Sequence, residues 1–416
     1  MGEPRADGPG GPRRLVPGGR TWALVVVVSL VLQEACFRFV FPLPDVKGFN
    51  RIDYMPIGRE NAETSAIRSI RVVQESSPDR ISVTRALNEY GFRGGRWNTR
   101  KVDGVARVFF VGDSFVESAL VPDGETLPER FQERSRDQGT RAEAMNLGVS
   151  GGGLESALRL IVDAVPVWRP DLVFLVINAN DLPDRLEMPR PRRFAGYPVF
   201  KPRLVELAAM ALGHEQLPYR WSWQRLRFDR PVPSPNNPWS DSSFAESNAR
   251  HVSPPILAAM KAGRFNPFRV GGSLYMADAL RVPFDLRDGL GSLRVYLEHF
   301  GACLAVVYIP ERGTVTNYYK HFEQEYSLLL PTETDMTQPA YQLHRQLLRQ
   351  QCAETGVPFF DSADLFRREE DAGRHLYWNF DDHLNGPGDR LVGDALFEWW
   401  SGEAARTSCG QTPGRL

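Results

Sequence analysis

The chain has 416 residues, enough for one large domain or two of ordinary size. Its content of 42% hydrophobic and 24% charged residues is typical of a globular protein and excludes a largely disordered one. The formal net charge is -1, and no basic patch is interleaved with aromatic residues. We therefore exclude nucleic acid as a partner, because such binding needs an excess of cationic groups facing the phosphates.

The N-terminal region joins a polar tail to an apolar segment. Residues 1–20 are rich in glycine and arginine, and the run from Trp22 to Leu32 is apolar except for one serine. A membrane helix needs about 20 residues, which the run reaches only by continuing to residue 42. Arginines precede the run and none of comparable density directly follows it, a pattern that favours an N-terminus inside the cell.

We therefore expect a cytoplasmic tail over 1–20 and a single-pass signal-anchor helix over 21–42. The rest of the chain would then lie in a periplasm or outside the cell. A cleaved signal peptide and a buried core helix are the alternatives. An exported chain can form disulfides. Since Cys36 lies in the apolar segment and Cys409 in the tail over 403–416, Cys303 and Cys352 remain either as a pair or as two unpaired buried thiols.

Residues 43–104 form an irregular lead-in with two short β-like stretches, at 69–76 and 80–94. From residue 105 to 402 a regular alternation follows. Apolar strand-like runs cover 106–114, 143–153, 171–181, 302–311 and 357–366, and helical patterns cover 126–139, 154–165, 291–301, 339–356 and 386–402. Strands without strict alternation, separated by helices, indicate a parallel sheet covered on both faces. We predict a doubly wound, three-layer α/β/α domain.

A long interruption separates the third strand from the fourth. The segment over about 186–285 has two helical patterns and a stretch rich in proline, serine and asparagine. We interpret it as a partly helical insertion, either a cap beside the site or a surface excursion with no role in binding.

Polar residues follow several of the predicted strands. Ser114, Gly151 and Asn180 come at the ends of three strands, and His383 lies in the loop after the last one. Taken singly, they are typical of a helix cap, a tight turn, a polar strand end and a surface loop. Because ligands bind at the carboxyl ends of the strands in open α/β sheets, we expect all four at one edge.

These residue types suit nucleophilic catalysis. A serine hydroxyl attacks only when a base takes its proton, and an imidazole oriented by a carboxylate can do so near neutral pH. Attack on an ester carbonyl creates an oxyanion, which backbone N–H groups and a side-chain amide stabilise.

Four blocks in order, "GDSF", "NLGVSGG", "NAND" and "DDHLN", resemble the SGNH (GDSL) hydrolase superfamily. The resemblance covers the α/β portion without the insertion and implies a flavodoxin-like fold that needs no cofactor. It implies Ser114 as nucleophile and His383 as base. It also implies an oxyanion hole made of the N–H groups of Ser114 and Gly151 and the amide of Asn180.

Two positions depart from the superfamily pattern. Asn178 stands where a glycine is usual, which puts the local backbone geometry in question. Phe380 stands where the acid is usual, three residues before His383, and Asp381 lies only two before it. This aspartate-any-histidine spacing resembles the branch that contains exopolysaccharide O-acetyltransferases of the alginate type. We choose Asp381 over Asp382 as the triad acid, because adjacent side chains rarely converge.

Three functions remain open. One is an esterase acting on acyl esters, such as acylated envelope or secreted glycans. Another is a polysaccharide O-acetyltransferase with the same triad, for which the resemblance implies a membrane-bound acyltransferase as partner. The third is a non-catalytic binding or scaffold subunit. Asp381, Asp382 and His383 have no second histidine or cysteine cluster beside them in the sequence, so we expect neither a metal nor a cofactor.

Overall fold

The computed structural model describes most of the chain outside the N-terminal tail, the lead-in, the insertion and the C-terminal tail. The described residues are 18–36, 70–73, 79, 81–88, 90–95, 97–98, 100–179, 182, 186–189, 276, 279–325, 335–379 and 381–402. Asn180, the helical patterns of the insertion and Cys409 lie outside them. The chain divides into two compact units, of which the first contains the N-terminal helix and the second the sheet.

Helix α1 spans Gly19–Ala35, with its leucine and valine side chains exposed. It covers most of the predicted signal-anchor, whose last residues, 37–42, are not described. No helix within the described ranges is both long enough and apolar enough to cross a membrane.

The second unit is built on a five-stranded parallel sheet, as the sequence predicts. Its strands are β3 (Ala106–Gly112), β4 (Ala142–Gly148), β5 (Leu172–Ile177), β6 (Cys303–Tyr308) and β7 (Phe359–Asp361), which follow a two-stranded antiparallel pair of β1 (Ile70–Val73) and β2 (Ser82–Arg85). The order across the sheet is β4-β3-β5-β6-β7. Counted from the first strand of the sheet, this is 2-1-3-4-5, the flavodoxin-like order, in which ligands bind between the carboxyl ends of the first and third strands.

Helices connect the strands and cover the sheet. They are α2 (Ser114–Glu117), α3 (Leu127–Asp137), α4 (Leu154–Trp168), α5 (Arg287–His299), α6 (Arg312–Val315), α7 (Lys320–Glu325), α8 (Leu343–Thr355), α9 (Ala363–Asp371) and α10 (Gly386–Ser401). Capping fixes some of their starts: Thr126 and Glu129 form a capping box at α3, and the Asn385 side chain accepts a hydrogen bond from the N–H of Gly388 at α10.

The core lies on both faces of the sheet, because side chains alternate between the faces along each strand. On one face Phe110, Phe174 and Ala305 pack with Phe131 of α3 and Trp400 of α10. Residues of the opposite face are also buried, and α4 contacts β3 while α5 contacts β6. The domain therefore has three layers with a parallel sheet in the middle.

The two ends of the insertion meet. The N–H of Leu186 donates to the carbonyl of Asp285, at 3.4 Å, and the side chain of Leu186 lies against Gly289 of α5. Gly289 has no room for a Cβ there, so glycine is required for this contact. The residues that flank the insertion, Leu186 and Asp285, are thus joined by a backbone hydrogen bond.

The cysteines do not pair as either sequence-based alternative proposes. Cys352 is a buried free thiol, and burial raises its pKa to about 12. Cys303 is in a disulfide, whereas Cys36 is free, so the partner of Cys303 lies outside the described residues. Both alternatives that the sequence leaves open, a Cys303–Cys352 pair and two unpaired buried thiols, are therefore wrong. Residue type alone could not assign the partner, because pairing depends on which chain segments the fold brings together.

The lead-in contacts the domain through two buried arginines. Arg85, at the end of β2, forms an ion pair with Glu117 of α2. The guanidinium of Arg93 donates to the carbonyls of Glu117 and Ser118 and pairs with Asp123. These bonds occupy carbonyls at the C-terminal end of α2 that have no partner within the helix.

Candidate active site

The Ser114 turn is fixed by tight packing at the end of β3. Gly112 has no space for a side chain, since a Cβ would lie 2.8 Å from the carbonyl oxygen of Val176 on β5. Asp113 caps α2, its side chain accepting the N–H of Phe115 at 2.9 Å. Ser114 is therefore the first residue of a single-turn helix, at the carboxyl end of β3 and beside β5, where this topology forms its ligand crevice.

A continuous chain of hydrogen bonds joins Ser114, His383 and Asp381. The Oγ of Ser114 lies 2.7 Å from Nε2 of His383, and Nδ1 of His383 lies 2.6 Å from Oδ1 of Asp381. The same Asp381 oxygen accepts the backbone N–H of His383 at 3.0 Å. A two-residue spacing thus suffices, because the loop folds the Asp381 carboxylate back onto both the backbone N–H and the Nδ1 of His383.

Asp381 and Asp382 differ in distance and exposure. The carboxylate of Asp382 lies 3.4 Å from Nδ1 of His383, and its side chain is 41% exposed. The Asp381 side chain is only 5% exposed. Water screens the more distant Asp382 carboxylate, so Asp381 is the stronger electrostatic partner of the imidazole.

The charge on His383 is set by these acids. Burial disfavours the imidazolium, but the charge and hydrogen bond of Asp381, aided by the charges of Asp382 and Asp113, raise the pKa of His383 to about 10. Loss of one proton turns Nε2 into an acceptor for the Ser114 hydroxyl. The fraction of His383 in this neutral, basic form therefore increases as the pH rises.

Arg312 holds the loop that carries the acid and the histidine. This buried side chain of α6 donates to three carbonyls, those of Trp378 and Asn379 at 3.2 Å each and that of Asp381 at 3.1 Å. The loop closes on itself where the N–H of Trp378 donates to the carbonyl of His383. Sequence reasoning did not single out Arg312, whose only signal was its position just after a predicted strand.

The aromatic ring of Phe115 packs against the imidazole of His383. Its ring centroid lies 5.2 Å from that of His383, with the planes inclined by 31°, and the side chain is buried. The residue that follows Ser114 thus restrains the histidine ring as well as packing in the core.

Two of the three expected oxyanion donors lie among the described residues. The N–H of Ser114 is at the first position of α2, where helix geometry provides no acceptor. Gly151 lies in the exposed turn after β4 with a φ of 71°, a conformation that favours glycine. Asn180, the third expected donor, lies outside the described residues.

Asn178 forms a contact between two neighbouring strands of the sheet. It is buried, it is not among the described residues with positive φ, and its amide donates to the carbonyl of Ile309 at 3.1 Å. Here asparagine links the ends of β5 and β6 in place of the usual glycine.

One group of potential metal ligands occurs among the described residues. Asp381, Asp382 and His383 bring their ligand atoms within 4.8 Å of one another. Nδ1 of His383 faces Asp381 and Nε2 faces Ser114, so both ring nitrogens already have partners. A metal bound through the imidazole would have to break one of these contacts.

No protein-family model and no curated protein matches the chain. Similar solved structures include the psychrotrophic esterase EstA from Pseudoalteromonas sp., with 12% identity over 70% of this chain and 94% of that chain and a TM-score of 0.34. The acetyl xylan esterase AlAXEase has 12% identity over 70% and 98%, with a TM-score of 0.35. LAE5, an α/β hydrolase from the metagenome of Lake Arreo, Spain, has 10% identity over 75% and 97%, with a TM-score of 0.32. These values are too low to assign the chain to a family.

Proposed function

We propose that the protein is a serine esterase of the SGNH type. The observation that carries the proposal is the hydrogen-bonded series Ser114, His383 and Asp381, at the edge of the sheet where this topology binds ligands. The four sequence blocks support the same assignment. Ser114 is the nucleophile, His383 the base and Asp381 the acid that orients it.

The reaction runs through an acyl-enzyme. The Oγ of Ser114 attacks the ester carbonyl carbon while its proton moves to Nε2 of His383. The resulting oxyanion is stabilised by the N–H groups of Ser114 and Gly151 and the amide of Asn180. The C–O bond to the alcohol breaks as His383 returns the proton to the leaving oxygen. Water, activated by the same histidine, then hydrolyses the acyl-Ser114 ester and restores the hydroxyl.

The second candidate function is transfer of the acyl group to a sugar hydroxyl. It is favoured by the aspartate-any-histidine spacing of Asp381 and His383, which resembles the O-acetyltransferase branch. In this reaction a glycan hydroxyl replaces water in the last step, and a membrane-bound acyltransferase would supply the acyl donor. With a signal-anchor over 21–42, the substrate would be an acylated glycan of the envelope or of a secreted polymer.

Chemical labelling tests the nucleophile. The full chain is treated with a fluorophosphonate probe, and the adduct is mapped by mass spectrometry. We expect labelling at Ser114 and none in Ser114→Ala; a label that persists in Ser114→Ala would refute the assignment. Aryl-acetate turnover with and without a bare oligosaccharide then separates the two reactions, since acetylated oligosaccharide forms only if the sugar is the acceptor. If the wild type is neither labelled nor active, a non-catalytic scaffold is the remaining function.

A further inference from the structure

Glu117 is a buried acid that the catalytic steps above do not use. It is the last residue of α2, the turn that begins at Ser114, and its side chain is 1% exposed. Oε1 lies 2.5 Å from Nη1 of Arg85, whose side chain is also 1% exposed. Because burying a carboxylate costs several kcal/mol in proteins, such a group persists only where partners compensate for the lost water.

The other oxygen of Glu117 faces the turn after β4. Oε2 accepts the backbone N–H of Ser150 at 2.9 Å and the hydroxyl of Ser150 at 2.6 Å. Ser150 immediately precedes Gly151, whose N–H is a proposed oxyanion donor. Two hydrogen bonds to one carboxylate oxygen therefore restrain the residue from which the Gly151 N–H extends.

Backbone packing also holds α2 against the end of β4 and the turn that follows it. Gly148, at the end of β4, has no room for a Cβ, which would overlap the backbone nitrogen of Glu117. The amide of Asn146 donates to the carbonyl of Val116 at 2.7 Å. The carbonyl of Gly112 accepts the N–H of Val149 at 3.0 Å. The hydrogen bonds from Ser150 to Glu117 add to these contacts at the residue next to Gly151.

We infer that Glu117 is a positioning residue of the oxyanion hole. Through Ser150 it sets the place of the Gly151 N–H relative to the N–H of Ser114, three residues earlier in its own turn. Arg85 of the lead-in holds the Glu117 carboxylate in this position. The inference rests on the proposed esterase function and adds to it a fixed spacing between two oxyanion donors.

A positioning role predicts a specific kinetic change. An oxyanion donor acts on the charge that develops in the transition state, so its displacement lowers kcat and leaves KM nearly unchanged. Removal of a whole donor typically lowers kcat by about 10²–10³-fold. In Glu117→Gln the single amide oxygen can accept a hydrogen bond from Ser150 or from Arg85, and the side chain has no charge to pair with Arg85. We therefore expect kcat to fall by about 10- to 100-fold.

The test compares steady-state aryl-acetate kinetics of the full chain and its variants. Glu143→Gln is the matched control, because Glu143 of β4 forms an ion pair with buried Arg107 of β3, at 2.8 Å, at the opposite end of these strands. We expect its kcat to stay within about 2-fold of wild type, since the pair lies away from the carboxyl edge. Ser150→Ala, which removes only the hydroxyl bond, should lower kcat by about 3- to 10-fold.

The pH profile separates positioning from general damage. If Glu117 positions the oxyanion hole, the midpoint of the rise in kcat/KM with pH stays at the wild-type value in Glu117→Gln and Ser150→Ala. Arg85→Lys, which keeps the charge, should retain more activity than Arg85→Met. Should Glu117→Gln fail to fold, Ser150→Ala still tests the inference.

Several results would overturn it. Equal kcat values in Glu117→Gln and Glu143→Gln, unchanged kcat in Ser150→Ala, or parallel changes in KM and in the pH midpoint would each do so while leaving the esterase function standing. A wild type that neither turns over aryl acetate nor reacts with fluorophosphonate would instead overturn the proposed function, and the inference with it.

Discussion

Replacing Asp381 by asparagine should change both the rate and the pH dependence of the proposed ester hydrolysis. Two unit charges about 4 Å apart attract by about 4 kcal/mol at an effective dielectric constant of about 20. At 1.36 kcal/mol per pKa unit this attraction corresponds to about three units. Asp381→Asn should therefore lower the pKa of His383 from about 10 to the neighbourhood of its ordinary value of 6.5.

The rate should fall even though more of the histidine is then neutral. The carboxylate fixes which ring nitrogen carries the hydrogen, and its loss in a serine–histidine–aspartate triad typically lowers kcat by about 10⁴-fold. In Asp382→Asn the lost charge is 41% exposed and 3.4 Å from the ring. A solvent-exposed pair contributes under about 1 kcal/mol, so the pKa of His383 should move by less than one unit and kcat by only a few-fold.

The assay is the rate constant of fluorophosphonate inactivation, together with aryl-acetate hydrolysis, from pH 6 to 11. Wild type and Asp382→Asn should show rates that rise with pH to a midpoint near the His383 pKa of about 10. Asp381→Asn should show a midpoint near neutrality and a far lower plateau. NMR titration of the imidazole, assigned against His383→Gln, measures the pKa directly. If Asp382→Asn shows the large losses and Asp381→Asn the small ones, the choice of acid is wrong.

Three further predictions concern the supports of the site. Arg312→Met removes the donor for three loop carbonyls. We expect the free energy of unfolding, measured by denaturant titration, to fall by about 1–3 kcal/mol and the kcat for aryl acetate to fall as well. Unchanged values would show that the loop keeps its conformation without Arg312. Gly148→Ala should abolish activity, because the added Cβ overlaps the Glu117 backbone, whereas Gly291→Ala in α5 meets open space and should stabilise the protein by about 0.5–1 kcal/mol. Because the pKa of His383 is raised in the folded state, protonation of His383 stabilises the fold fully below pH 6.5, and this contribution is lost as the pH rises toward 10. Over that pH range the melting temperature should therefore fall more steeply in wild type than in His383→Gln.

Local patterns in the sequence predict much of the fold. The five strands and the three-layer arrangement are confirmed, since apolar runs in buried parallel strands are strong signals. The last strand is shorter than predicted: β7 ends at Asp361, and α9 begins at Ala363. An apolar run at the edge of a sheet does not tell where pairing stops, because pairing depends on how far β6 extends beside it.

The candidate site is predicted less completely. The sequence order of the four blocks predicts Ser114, Asp381 and His383 as site residues. In the structure His383 lies within hydrogen-bond distance of both Ser114 and Asp381. Their catalytic roles stay predictions until the labelling experiment is done. Arg312 and Glu117 were missed, because each acts through contacts with residues more than thirty positions away along the chain. Such contacts have no local pattern.

The ion pair between Arg85 and Glu117 limits where the chain can be shortened without disturbing the proposed active site. A fragment that starts at residue 105 keeps every strand of the parallel sheet and every proposed catalytic residue, yet it lacks Arg85, which pairs with the Glu117 carboxylate. Loss of one partner of a buried pair typically costs about 3–5 kcal/mol, a large share of the stability of an ordinary domain. A minimal active fragment must therefore begin upstream of β2, and the same limit applies to any domain exchange that would transplant this site.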